Sequence, residues 1–122
     1  MKEFEAYLIM AFREFLLATG GVPYLQCLTR NLNLPANLLL SETIVFNLAD
    51  TAITEFTYNT LGIAFTTRFN GASYTVGVPH FNFISMHDRD KPLSGLVFVP
   101  TQMDEIPPTP PPHKKPTLSL VQ

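Results

Sequence analysis

The first twenty residues carry a helical period. Phe4, Leu8, Ala11, Phe12, Phe15 and Leu16 recur at spacings of three and four and so share one face. Gly20 and Gly21 follow and predict the stop, because glycine readily adopts the left-handed cap conformation. The opposite face is not cleanly polar: Tyr7, Ile9, Met10 and Leu17 lie around it. A helix apolar over much of its circumference is either deeply buried or covered by another subunit. That pattern predicts a homodimer with Leu8, Phe12 and Phe15 at its interface.

After the helix the pattern shortens to strand-like runs between turn residues. Pro23–Thr29 is the first. Pro35–Leu40 is read as a second, followed by a turn at Ser41-Glu42. Thr43–Leu48 is β-branched, and Ile53–Asn59 alternates strictly. Ile63–Phe69 places Ile63, Phe65, Thr67 and Phe69 on one face. Asn70-Gly71 is a strong hairpin signal, joining that run to Ala72–Val78. His80–His87 fits a short helix or a strand, and Leu96–Val99 reads as a last strand. The sum is a mainly β, α+β fold: a small, curved antiparallel sheet or Sm-like (SH3-like) barrel with an N-terminal helix beside it.

Composition divides the chain near Pro100. Residues 1–100 contain five prolines and residues 101–122 contain six, with no aromatic residue among the latter. A segment of that kind buries too little apolar surface to offset its ordering entropy. The organisation read from this is a folded domain over 1–100, a proline-rich linker over 101–114 and a terminal peptide over 115–122. That peptide, KPTLSLVQ, sets Leu118, Leu120 and Val121 behind the linker, where they serve no core. It is either a recognition motif or a terminal remnant.

Charge and cysteine use narrow the function classes. The net charge of −2 offers no electrostatic footprint for nucleic acid. Glu3, Glu5, Arg13 and Glu14 interrupt the N-terminal apolar stretch, which excludes a secretory signal, and no run is long enough to span a membrane. The lone Cys27 has no internal disulfide partner, and a reducing cytoplasm fits it best. Phosphate loops, dinucleotide fingerprints, HExxH, GxSxG and CxxC motifs are all missing from the sequence. His80 and His87 stand seven apart without cysteine neighbours, and His113 lies in the tail. Asp88 and Asp90 read as a solvated turn before Pro92, lacking the apolar setting that splits carboxylate pKa values. An enzyme is therefore the disfavoured class. Two elements survive as binding candidates: the strand around Phe65, Thr67 and Phe69, which is either core or a groove for an extended peptide, and the terminal peptide.

The residues resemble a known family. EAYLIMAFREFLLATGGVPYL is similar to the opening helix and first strand of stringent starvation protein B. IAFTTRFNGASYTVGVP resembles that family's ARF-like strand, glycine turn and strand ending in Val-Pro, with Arg68, Phe69, Gly71, Val78 and Pro79 at matching places. SGLVFVP resembles its last strand. Lys115, Pro116, Leu118 and Val121 match its terminal module or differ conservatively. The likeness runs in order over the whole chain.

The resemblance implies a non-enzymatic adaptor. Family members bind the ssrA tag, a degradation peptide on stalled nascent chains, and deliver tagged proteins to the ClpXP protease without a cofactor. On this reading the tag groove would draw on Phe65, Thr67, Arg68 and Phe69, with Phe46 and Phe83 from neighbouring segments. The N-terminal domain of the ClpX unfoldase would be met by Lys115, Pro116, Leu118, Leu120 and Val121. Departures stand out: Thr67 replaces an expected alanine, Asn70 an expected glycine, and Ser119 and Gln122 replace basic residues at the tip. The alternatives are a peptide-binding module whose tail recruits a different partner, an Sm-like RNA-binding protein, which the acidic balance disfavours, and an enzyme without a recognised motif.

Overall fold

The computed structural model describes residues 2–98. The linker over 101–114, His113 and the terminal peptide with Lys115, Pro116, Leu118, Leu120 and Val121 lie outside the described residues.

A short 3-10 turn, Lys2–Phe4, leads into helix α1, Glu5–Ala18. The helix ends as predicted. Gly20 takes φ +85°, the Gly21 N–H donates to the Leu16 carbonyl at 2.7 Å, and the Thr19 hydroxyl donates to the Phe15 carbonyl at 2.9 Å. Its buried residues are Ala6, Ile9, Arg13 and Leu16. Most of the apolar stripe read from the sequence faces outwards: Phe4, Leu8, Ala11 and Phe15 are exposed. With apolar residues around most of its circumference, the helix had no unique inward face. The face with Arg13 turns in because its charge finds partners in the sheet layer.

Seven strands follow: β1 Pro23–Leu28, β2 Thr43–Asn47, β3 Thr54–Asn59, β4 Gly62–Phe69, β5 Ala72–Pro79, β6 Phe83–Asp88 and β7 Lys91–Val97. They pair antiparallel in two sheets, of order β2-β1-β6-β7 and β3-β4-β5. The mainly β, α+β class with an N-terminal helix is what the pattern predicts. Among the described residues the two sheets do not close into one barrel. No helix there is long and apolar enough to cross a membrane.

The core lies between the sheets and under α1. Leu25, Cys27, Phe46, Phe65, Val76, Val78, Phe83 and Met86 are buried together. The Phe46 and Phe65 rings meet edge to face at 5.0 Å, joining the two sheets through one aromatic pair. Full burial of each such side chain is worth about 2–3 kcal/mol. Helix α1 packs on β1 and β6 from one sheet and on β3 and β4 from the other.

Three segments differ from the sequence reading. Ala36–Leu39 is a single helical turn, α2, and not a strand. Pro35 and the Leu38 N–H to Pro35 carbonyl bond start that turn, and no neighbouring strand is offered for pairing. His80–His87 splits into a 3-10 turn, His80–Asn82, and β6. The last strand begins at Lys91, five residues before the expected Leu96, because β7 lies at a sheet edge where Pro92 needs no ladder donor.

The hairpin at Asn70-Gly71 forms with φ of 52° and 83°, the paired positive angles a type I′ turn requires. It fixes the register Phe69↔Ala72 and so the outward placement of Arg68 opposite Ser73.

Candidate functional site

The expected groove strand, β4, leaves the core partway along its length. Ile63 and Phe65 are buried, while Thr66, Thr67 and Phe69 are half-buried and Arg68 is exposed. Beside that outer half lies the loop from β2 to β3. Its shape is set locally: Asn47 Oδ1 accepts the Ala49 N–H at 2.9 Å, and the Ala49 carbonyl accepts the N–H groups of Ala52 and Ile53 at 2.9 and 3.1 Å. The Thr67 hydroxyl donates to the Ala52 carbonyl at 3.3 Å and ties the loop to β4.

Strand β3 then carries a bulge between Thr54 and Thr57, with Glu55 at φ 57°. A left-handed non-glycine residue in a bulge bends the strand and re-aims its side chains. Glu55 Oε1 accepts the Thr66 hydroxyl at 3.0 Å. The bulge also explains why the alternation read over Ile53–Asn59 does not hold along β3.

The loop, the start of β3, β4 and β5 together line an open cavity of about 240 Å³, walled by 50–54 on one side and by Thr66, Thr67, Arg68 and Ser73 on the other. Its lining is rich in hydroxyls, with Asp50 and Arg68 as charges of opposite sign. Arg68 donates to the Gly71 carbonyl at 2.9 Å. Hydroxyl groups of this kind can both donate and accept hydrogen bonds.

The structure brings only part of the expected groove together. Thr67 and Arg68 line the cavity. Phe69 is half-buried beside it, its ring 5.6 Å from Tyr74. Phe46, Phe65 and Phe83 are core residues and reach no open groove; their side of each strand is the inter-sheet side, and their aromatic bulk is what fills it. Asp50 and Ala52 line the site and were missed, as was Glu55, which bonds the lining Thr66. Nothing local marks them, since their placement depends on a loop and a bulge.

Other cavities lie elsewhere on the described residues, among them one of about 380 Å³ between residues 28–30 and 39–42. One of about 280 Å³ lies at the β3–β4 turn, by Tyr58, Leu61 and Pro79. One of about 730 Å³ lies between the end of α1 and the β6–β7 hairpin, over Phe12, Phe15 and Leu16. The largest of these borders the exposed helix face instead of the groove strand. On that face Leu8 is 47% and Phe15 58% exposed, and Phe12, half-buried, stacks on Phe15 at 6.3 Å. The three residues expected at a dimer interface are thus on or beside one accessible surface.

The Cys27 thiol is buried, and burial pushes its pKa up to about 12, so the nucleophilic thiolate is suppressed. The Asp88 carboxyl is held below the ordinary carboxylate range. The Val22 N–H is the main cause, with the Asp90 N–H and the charges of Lys91 and Arg89 adding to it against partial desolvation.

No family model matches the chain, and no curated protein matches it either.

Proposed function

We propose that the protein is an adaptor of the stringent starvation protein B type. It captures ssrA-tagged polypeptides in the cavity between the 48–53 loop and β4, and hands them to the ClpXP protease through its terminal peptide. The observation that carries this reading is the open, hydroxyl-lined cavity at Thr67 and Arg68. It falls in the stretch where the sequence resembles the family's central segment. Its hydroxyl side chains and the adjoining loop backbone would suit hydrogen bonding to an unfolded tag. The exposed Leu8–Phe15 face supports a homodimer. The chemistry is tethering: no bond is made or broken, no cofactor takes part, and the setting is cytoplasmic.

The test is fluorescence anisotropy with a labelled ssrA peptide. The full chain is expected to bind it, and Thr67→Glu, which sets a charge in the cavity, is expected to weaken binding by about tenfold, roughly 1.4 kcal/mol. A wild-type protein that binds no tag, or a Thr67→Glu protein of unchanged affinity and normal far-UV spectrum, removes the groove from the reading. Tag binding without capture of the ClpX N-terminal domain would assign the tail a different partner.

A further inference from the structure

An arginine inside a helix face is costly unless its charge is met. Arg13 is only 7% exposed, and besides the Glu14 carboxylate at 3.6 Å on its own helix it meets three groups beyond the helix. Its Nε–H donates to the Leu48 carbonyl at 2.7 Å, and an Nη donates to Asp50 Oδ1 at 2.8 Å. Its guanidinium carbon stands 4.6 Å from the centre of the Phe56 ring. Leu48, Asp50 and Phe56 all belong to the stretch that leaves β2, forms the loop and enters the β3 bulge. Residues 50–54 of that stretch are one wall of the cavity, and Asp50 is the Arg13 partner that lines it.

The Arg13–Asp50 pair is placed oddly for a stabilising ion pair. The Asp50 side chain is 78% exposed, and an exposed carboxylate adds little to folding. What the pair does is fix a position. Local hydrogen bonds give the loop its shape, the Leu48 N–H to Pro23 carbonyl bond at 2.9 Å holds its start, and the Thr67 hydroxyl ties Ala52 to β4. Arg13 adds the anchor from the helix side, with one arm on the buried Leu48 carbonyl and the other on Asp50 at the cavity rim. A lysine would not substitute: a single ammonium cannot span both acceptors in a planar fork and also lie over an aromatic face.

We propose that Arg13 is a positioning residue for the groove: it holds the 48–53 loop at the spacing from β4 that keeps the cavity open. Affinity for an extended peptide thereby depends on how α1 is seated. The affinity part rests on the groove reading above.

The experiment uses full-length Arg13→Lys, Asp50→Asn and the double variant, with two readouts. Amide hydrogen exchange at Ala52 and Ile53, which both bond the Ala49 carbonyl, reports the loop. Anisotropy with the ssrA peptide reports the groove. Arg13→Lys is expected to speed loop exchange by about tenfold beyond any change at β1 amides and to weaken the peptide about tenfold, with the double variant no worse than Arg13→Lys. Loop exchange that changes only in step with β1, or peptide affinity that does not fall, overturns the proposal. Should Arg13→Lys fail to fold, Asp50→Asn decides alone. It cuts the link at its exposed end, and wild-type loop exchange in it would be a refutation. A wild-type chain that binds no ssrA peptide sinks the groove reading, while the exchange arm still decides whether Arg13 positions the loop.

Discussion

Single polar side chains hold the places where this fold changes direction. Asp88 accepts the Val22 N–H at 3.2 Å and the Asp90 N–H at 3.3 Å, so one carboxylate ties the exit from α1 to the β6–β7 hairpin. Those bonds favour the ionised form and depress its folded-state pKa. The linkage has a definite sign. A depressed carboxylate contributes stability that is complete above its unfolded value and is lost as pH falls through its lower folded value. Asp88→Asn is therefore expected to melt below the wild type near neutrality, with the gap closing as pH drops below the ordinary carboxylate range. Melting curves of both proteins across that range check this, and a gap independent of pH would show that charge is irrelevant there. Asn82 works by the same logic without charge. Its amide donates to the Leu28 and Arg30 carbonyls at 3.0 and 2.9 Å from a fully buried position. Neither role was legible in the sequence, because a polar residue's partners lie more than fifty positions away. The turn at Asp88–Asp90 was legible; what Asp88 holds was not.

Elements whose own residues set their geometry were readable, and those shaped by a neighbour were not. Asn70-Gly71 demands positive φ at two adjacent residues, and β4 and β5 follow in register. Strand β7 was half hidden, because Pro92 and Gly95 discount a strand locally. At Gly95 a Cβ would run into the Met86 carbonyl, so glycine is what lets β7 approach β6 there. Helix α1 was found with its termini, yet its period could not choose an inward face. On that helix Leu8 and Phe15 are exposed and Phe12 is half-buried. Large apolar side chains grouped on one surface are what the proposed homodimer would cover. The double variant Leu8→Glu, Phe15→Glu is expected to keep its far-UV spectrum, since neither side chain is core, and to sediment as a monomer where the wild type sediments as a dimer at micromolar concentration. A wild type that is monomeric there would leave this face without its proposed occupant.

At the scale of the whole molecule, composition sets the proline-rich residues 101–122 apart, and the two-sheet arrangement stayed invisible. β1 pairs with β6 across some sixty residues, and no local pattern encodes which strands meet at that separation. The candidate site shows the same split. Thr67 and Arg68 come from a strand readable by itself, whereas the opposite wall is created when β2 crosses to β3 and Arg13 seizes the loop. The proposed division of labour puts capture in the domain and delivery in residues 115–122, with fourteen residues from Thr101 to Lys114 between them. As extended chain these reach at most about 45 Å, enough to link a held tag to a nearby unfoldase. In a dimer each tail contact raises the effective concentration of the next into the millimolar range, so neither contact has to be tight. Deleting Lys115–Gln122 should then leave ssrA-peptide affinity and melting temperature unchanged while removing all stimulation of tagged-substrate degradation by ClpXP. The combination is what discriminates: lost tag binding would place the tail in the groove, and retained stimulation would mean that delivery runs through the folded domain.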